Sequence, residues 1–150
     1  MKAVIQRVTH AEVAVDGQTV GSCGHGFLVL LGVAVGDTEA DAEILARKIV
    51  NLRIFQDEAG KMNRSIKDIN GEMLVISQFT LMANCRHGNR PDFMESAKSD
   101  LAIPLYEHFK FCVSREVRHI ACGIFGADMK VSLLNDGPVT IVLDTNMLKK

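Results

Sequence analysis

The sequence predicts a single α/β domain of mixed, barrel-like β-sheets backed by two main helices. The chain has 150 residues, enough to bury one hydrophobic core, so we expect one domain over residues 1–150. Continuous apolar runs at 27–35 and 73–76 are typical of strands that are buried on both faces. A segment with helical spacing follows each run. The predicted order is therefore two strands, two strand–helix units and three further strands.

The N-terminal part of the chain predicts a strand and a hairpin. Residues 2–8 alternate as a strand, and Arg7 lies on an apolar face of it. The guanidinium of Arg7 therefore either reaches water from the strand end or is held toward a fixed acceptor. Residues 11–15 and 18–20 predict a hairpin, because Asp16-Gly17 suits a tight turn.

Two helices are predicted to cover the sheet. The first begins after Asp37 or Thr38, either of which can cap it, and its apolar side chains recur at helical spacing. The second begins near Ser99 or Asp100, and Pro104 is tolerable there only if it lies in the first turn. The remaining predicted elements are short strands at 53–55 and 117–120 and a frayed tail at 145–150.

The stretch Asn135-Asp136-Gly137-Pro138 separates the last two predicted strands, at 129–134 and 139–143. One interpretation is an ordinary hairpin turn in which Pro138 begins the second strand. The other is a Gly-Pro bond in the cis form, whose carbonyls would point where an ordinary turn would not place them. The turn residues alone favour the hairpin.

Charge and hydropathy exclude several classes of protein. The net charge of −1 argues against a broad duplex-binding surface but is compatible with a protein that grips a nucleic-acid end. No apolar run approaches the roughly 18 residues of a membrane span, and the N-terminus lacks a signal-peptide core. We therefore expect a cytoplasmic protein with no membrane partner. A local basic segment, which charge alone explains better as a solvated loop surface, consists of Lys61, Arg64, Lys67, Arg86 and Arg90.

The cysteines do not predict a metal site or a disulfide framework. Cys23, Cys85, Cys112 and Cys122 form no C-x-x-C pair, and no histidine lies at zinc-finger spacing from them. Reduced, mostly packed thiols are the better interpretation. We expect neither a metal nor another cofactor.

Polar side chains at the end of the second buried strand are the candidate chemical groups. Hydrolase motifs such as G-x-S-x-G and H-E-x-x-H are absent, and the histidines are scattered. Ser77, Gln78 and Thr80 follow the run at 73–76, where α/β folds commonly place chemistry. No activating base is evident beside them, and hydroxyls that bond to the local backbone are the alternative interpretation. The long loop at 82–99 that follows is of a length typical of functional loops.

Two separated motifs make the sequence similar to a known family. Ser77-Gln78-Phe79-Thr80-Leu81 and Asn135-Asp136-Gly137-Pro138-Val139-Thr140 resemble the signature pair of the D-aminoacyl-tRNA deacylases. The resemblance covers nearly the whole chain and includes Ile5-Gln6-Arg7-Val8 and Phe125-Gly126-Ala127-Asp128-Met129. It implies hydrolysis of the ester that links a D-amino acid, or glycine, to the 3′-terminal adenosine of tRNA. This reaction would be a chiral proofreading step in translation.

The resemblance also implies how the substrate is held. Gly137 and Pro138 would form a cis peptide whose carbonyls receive the α-amino group, and Arg7 would orient that loop. An L side chain would then collide with the main chain, whereas a D side chain would point outward. Phe125 and Met129 would line a pocket for the terminal adenosine, with core packing as an equal alternative. The family works as a homodimer in which the Gly-Pro loop of one subunit reaches into the other subunit's site, and its partner is the acceptor end of aminoacyl-tRNA.

Two mechanisms are compatible with the first motif. In one, Thr80 is a nucleophile. In the other, which the lack of a base favours, the terminal ribose 2′-OH assists a water, and backbone N–H groups near Phe79 and Thr80 stabilise the oxyanion. Ser77 and Gln78 would then position the substrate. Two other functions remain as alternatives: a non-catalytic module that binds an RNA end or a nucleotide, and a dimeric scaffold in which the Gly-Pro pair is only a turn.

Overall fold

The fold is built around a long strand, β1, which pairs antiparallel with three other strands. The computed structural model describes residues 1–149. Its strands are β1 Lys2–Val15, β2 Gln18–Cys23, β3 Gly26–Gly32, β4 Phe55–Gln56, β5 Met62–Arg64, β6 Glu72–Ser77, β7 His119–Cys122 and β8 Lys130–Asp144. Its helices are α1 Glu39–Val50, α2 Ser99–Ser114 and α3 Thr145–Leu148, and a 3₁₀ turn spans Phe79–Met82.

The large sheet is mixed and nearly closed. Its strand order is β2-β1-β3-β6-β7, with β8 paired to β1, and β4 pairs separately with β5. The β3–β6 and β6–β7 pairs are parallel, as the two predicted strand–helix units require. The two end strands approach each other, since Nε2 of His119 lies 3.1 Å from the carbonyl oxygen of Ser22. The predicted α/β fold, with a barrel-like mixed sheet and two main helices, is confirmed. Within residues 1–149, no helix is long and apolar enough to cross a membrane.

The core lies on both sides of β3 and β6, which explains why these strands are apolar at nearly every position. One hydrophobic cluster contains Phe27 and lies against the helices, where Leu45 of α1 and Phe109 of α2 are fully buried. The other cluster contains Leu28 and Leu74 and lies on the other face of the sheet, because these residues alternate along β3 and β6 with members of the first cluster. Because β6 packs against a cluster on each face, the end of this strand has a defined position, and so have the polar residues that follow it.

The two strands predicted on either side of the Gly-Pro pair are a single strand, β8. Asn135 lies opposite Val8 and Thr140 lies opposite Gln6, so both parts of β8 pair with β1. The hairpin interpretation is therefore wrong, because the two parts run in one direction along β1 and do not pair with each other. The residues between them, 136–139, form a bulge opposite a single residue of β1. β1 is also a single strand, since it includes both segments, 2–8 and 11–15, that were predicted as separate strands.

The second helix begins at Ser99, as predicted, but Pro104 does not lie in its first turn. Pro104 is the sixth residue of α2. The missing N–H would have bonded to the carbonyl of Asp100, which lies in the exposed first turn of the helix. Water can satisfy that carbonyl, which explains how the helix tolerates proline at this depth.

The tail predicted to be frayed over 145–150 is ordered in its described part. Thr145–Leu148 form α3, and Thr145 is fully buried. The α-ammonium of Met1 donates to Oγ1 of Thr145 at 2.6 Å and to Oδ1 of Asp37 at 2.9 Å, which ties the two ends of the described chain together. Lys150 lies outside the described residues.

Asp41 links the start of α1 to the tail. Thr38 precedes the helix, and its backbone N–H donates to Oδ2 of Asp41 at 2.8 Å. The Lys149 ammonium lies 2.5 Å from Oδ1 of the same carboxylate. Burial of Asp41 opposes its ionisation, but the hydrogen bonds from Lys149 and Thr38 outweigh that effect and hold the pKa of Asp41 below its ordinary value of 3.8.

Asp41→Asn is expected to lower the free energy of unfolding by about 1–2 kcal/mol at pH 7, because it weakens both the cap and the ion pair. A carboxyl whose pKa is lower in the folded state stabilises the fold above its unfolded pKa, and the effect disappears as the pH falls through the folded value. The difference between the variant and the native protein should therefore shrink below pH 3.8. Urea unfolding at pH 7 and at about pH 2.5 measures both values. An equal difference at the two pH values would contradict this assignment.

Candidate active site

A cavity of about 270 Å³ opens where β6 ends. One wall is formed by the strand end and the start of the 3₁₀ turn, with Ser77, Gln78 and Phe79. The loop before β8 contributes a further part of the lining, with Phe125 and Met129. Five of the nine predicted site residues thus line one cavity.

The backbone at the end of β6 is directed by its parallel neighbour. The N–H of Gln78 donates to the carbonyl of Leu31 on β3 at 2.8 Å, which continues the β3–β6 pairing by one residue. The chain then turns into the 3₁₀ turn. Within residues 1–149, the N–H groups of Phe79 and Thr80 donate to no protein acceptor. Two adjacent free N–H groups, the first of them on the cavity-lining residue Phe79, are suited to bind an oxygen that carries negative charge.

Thr80 is placed differently from its neighbours. Its side chain is exposed and does not line the cavity. The Nε2 amide of Gln78 donates to Oγ1 of Thr80. An amide N–H cannot accept a proton, so this contact orients the hydroxyl without activating it.

Tyr106 of α2 also lines the cavity and was not predicted from the sequence. Its hydroxyl donates to the carbonyl of Val75 at 3.1 Å, and its ring packs edge-on against Phe125 at 5.9 Å. Burial raises the pKa of the Tyr106 phenol above its ordinary value of 10.0, so the group stays neutral and supports the wall. The available signal was that Tyr106 is the only tyrosine of the sequence and lies within the apolar part of α2.

The Gly-Pro bulge is held by a buried arginine. Arg7 is 6% exposed, and it donates from Nε to the carbonyl of Asp136 at 2.8 Å and from Nη1 to the carbonyl of Ile54 at 2.7 Å. Of the two interpretations of Arg7, the fixed acceptor is confirmed. Gly137 and Pro138 are exposed, and the peptide bond between them is cis.

Asn135 closes the bulge from within. Its Oδ1 accepts from the N–H of Val139 at 2.7 Å, and its Nδ2 donates to the carbonyl of the same residue at 3.2 Å. Gly137 has a φ of +151°, and a Cβ there would lie 2.6 Å from Cγ2 of Val139. Only glycine fits this conformation without displacing the backbone. Asn135 belongs to the second motif, but the sequence alone predicts no role for it.

The bulge and the cavity are separate in a single chain. Arg7 and Asp136 line a different cavity, of about 190 Å³, together with His25 and Phe55. Neither Gly137 nor Pro138 lines the cavity at the end of β6. The described chain contains no group of three or more histidine, cysteine or acidic side chains that could hold a metal ion.

The fold and the site define an α/β protein with a partly apolar cavity and free main-chain donors at the end of a buried parallel strand. The family described as D-Tyr-tRNA(Tyr) deacylase matches residues 4–144. The chain belongs to this family, and the predicted enzyme class, a deacylase, is confirmed.

Curated relatives match the chain at nearly full length. A D-aminoacyl-tRNA deacylase of Thermus aquaticus is 53% identical and covers 97% of this chain and 96% of its own. A D-aminoacyl-tRNA deacylase of Geotalea uraniireducens is 58% identical, and the match covers 97% of this chain and 94% of the relative. The solved structure of a c-Myc DNA unwinding element binding protein is 44% identical, with a TM-score of 0.91 over 96% of this chain and 98% of its own. A probable eukaryotic D-amino acid tRNA deacylase shares the fold, with a TM-score of 0.81 at 15% identity over 95% and 97% of the two chains.

Proposed function

We propose that this protein hydrolyses the ester between a D-amino acid, or glycine, and the 3′-terminal adenosine of tRNA. The observation that carries the proposal is the full-length relationship to deacylases at more than half identity. The cavity at the end of β6 supports it, since Phe125 and Met129 can pack against an adenine while Ser77 and Gln78 offer polar groups to the ester. Free aminoacyl-tRNA is a cytoplasmic substrate, and we place the activity there.

Discrimination between D and L substrates is assigned to the main chain of the bulge. The carbonyls of Gly137 and Pro138 receive the α-ammonium, and the backbone leaves no space for an L side chain. A filter of this kind ignores which side chain the substrate carries, because exclusion depends on a steric clash. The hydrogen bond that Arg7 donates to Asp136 and the one that Asn135 accepts from Val139 support this assignment, since a filter needs a rigid backbone.

We further propose a homodimer in which each bulge completes the cavity of the other subunit. The separation of the bulge from the cavity in one chain supports this arrangement. β8 also has a free edge along its length within residues 1–149. Leu134 and Val142 on this strand are 54% and 70% exposed, which favours an interface there.

The proposed chemistry uses no side-chain nucleophile. The 2′-OH of the terminal ribose assists a water that attacks the ester carbonyl, and the N–H groups of Phe79 and Thr80 bind the oxyanion. The absence of a proton acceptor on Oγ1 of Thr80 in the described chain favours this route over an acyl-enzyme.

Thr80→Ala is expected to retain kcat/KM within about tenfold of the native enzyme, because the variant keeps the backbone N–H. Single-turnover hydrolysis of D-tyrosyl-tRNA, with acid quenching to trap any acyl-enzyme, measures this value. Thr80→Ser is the matched control, because it keeps a hydroxyl. A loss of about 10³-fold in the alanine variant, with an acyl-enzyme trapped in the native protein, would establish Thr80 as the nucleophile instead.

The function itself is tested by hydrolysis of D-tyrosyl-tRNA beside L-tyrosyl-tRNA. We expect turnover of the D substrate only. Equal rates would refute the chiral filter, and no turnover of either would favour a non-catalytic nucleic-acid-binding module. The name of the 44% identical structure describes DNA binding, but a net charge of −1 argues against a broad duplex footprint on this chain.

A further inference from the structure

The loop that follows the 3₁₀ turn is a hairpin anchored to the cavity wall. Asn84 and Asp92 exchange two backbone hydrogen bonds, at 2.9 and 3.0 Å. Phe93 packs edge-on against the cavity residue Phe79, with ring centroids 5.0 Å apart. Beyond the hairpin, Ala97 lines the cavity itself. The base of the hairpin therefore packs against the wall through Phe93, and the tip of the hairpin is residues 85–91.

The tip carries two unpaired guanidiniums and no acidic residue. Its sequence is Cys-Arg-His-Gly-Asn-Arg-Pro, and all seven residues are exposed. Within residues 1–149, neither Arg86 nor Arg90 has a carboxylate oxygen within 4.0 Å, whereas Arg64 pairs with Glu58 at 2.6 Å. The N–H of Arg86 donates to Oδ1 of Asn84 at 3.0 Å, which fixes the backbone where the tip begins.

We propose that this tip binds the backbone phosphates of the RNA strand that leads to the terminal adenosine. The inference rests on the proposed function, which puts that adenosine in the cavity beside Phe79. The preceding nucleotides must then leave across the cavity mouth, which the hairpin flanks. Arg90 is three residues from Phe93, no more than about 11 Å of extended chain. Guanidinium groups bind phosphate oxygens in pairs of hydrogen bonds, and two free ones on a hairpin with an anchored base suit successive phosphates.

A protein of net charge −1 has no general attraction for RNA, so its affinity for tRNA has to come from local patches of this kind. Lys61 and Lys67, the other candidates from the basic segment, lie on a different part of the chain, and neither lines the cavity. Of that segment, only the tip residues are attached to the cavity wall.

The test is the double variant Arg86→Gln/Arg90→Gln, which removes two exposed charges and no buried contact. We expect KM for D-tyrosyl-tRNA to rise about tenfold at physiological salt, with kcat unchanged. The slope of log Kd for uncharged tRNA against log salt should fall by about 1.4–1.8, since each lost phosphate contact removes roughly 0.7–0.9. Hydrolysis of 3′-O-(D-tyrosyl)adenosine, which has no phosphate, should be unaffected.

Arg47→Gln/Lys48→Gln is the charge-matched control, because both residues are exposed on α1. This variant should keep the native salt slope. An unchanged slope in the tip variant, or an equal loss of activity on tRNA and on the adenosine ester, would overturn the proposal. Binding of uncharged tRNA needs no turnover. If the native protein hydrolyses neither substrate and the tip variant still loses salt dependence, the proposed function fails while the phosphate contact stands.

Discussion

Gly137→Ala is expected to lower kcat/KM for D-tyrosyl-tRNA by about 10²-fold or more, because a displacement near 1 Å in a positioning group can have an effect of that size. The added Cβ would lie 2.6 Å from Cγ2 of Val139 and 2.8 Å from its backbone nitrogen. The φ of +151° adds strain for any L residue. The bulge must therefore shift, and the two proposed carbonyl acceptors would shift with it.

Gly17→Ala separates this effect from ordinary backbone strain. Gly17 also has a positive φ, of +77°, but a Cβ there would have no atom within 4 Å. This control should cost about 1 kcal/mol of stability and leave kcat/KM unchanged. Thermal unfolding and D-tyrosyl-tRNA hydrolysis should be measured on both variants. Native activity in Gly137→Ala would show that the bulge does not position the substrate.

Arg7→Lys should be the second most damaging change, although it keeps the positive charge. Arg7 donates from two different nitrogens to carbonyls on two separate segments, those of Asp136 and Ile54. One ammonium cannot reach both, so a buried acceptor is left unpaired at a cost of about 1–3 kcal/mol. We expect kcat/KM for the D substrate to fall at least about tenfold as the bulge loosens, with some hydrolysis of the L substrate appearing.

Arg53→Lys is the matched control for this change. Arg53 also donates from Nε to a backbone carbonyl, that of Asn63 at 3.1 Å, but its side chain is exposed. Its replacement by lysine should change the free energy of unfolding by less than about 0.5 kcal/mol. The rates of D- and L-tyrosyl-tRNA hydrolysis should not change. If both lysine variants show the same small changes in stability and in hydrolysis rates, Arg7 does not anchor the bulge and the proposal is wrong.

Much of the scaffold follows from local pattern. The apolar runs of β3 and β6 and the capped start of α1 at Thr38 lie close to where periodicity and capping chemistry place them. The motif after β6 also lies at the edge of a cavity, as expected for polar residues at the end of a buried strand. These features depend on a few neighbouring residues, and such residues are visible in sequence.

The bulge in β8 could not be derived in the same way. Asn-Asp-Gly-Pro has the chemistry of a hairpin turn, and only the pairing of both flanks with β1 shows that it is a bulge. That register depends on residues more than a hundred positions away. Long-range contacts also determine which carbonyls Arg7 binds, how Tyr106 supports the cavity, and why α3 is ordered and not frayed. The roles of the predicted site residues in catalysis stay predictions.

The central claim, that a working site combines the cavity of one subunit with the bulge of the other, is tested most directly by mixing two inactive variants. Gly137→Ala spoils the bulge, and Ala127→Trp fills the cavity, which Ala127 lines. In an equal, co-refolded mixture about half of the dimers should be heterodimers, and each heterodimer should have one of its two sites intact. The mixture should therefore recover about a quarter of native D-tyrosyl-tRNA hydrolysis. Recovery of this size is the result we predict. Mixtures no more active than the separate variants, with heterodimers demonstrated by differential tags, would contradict a shared site.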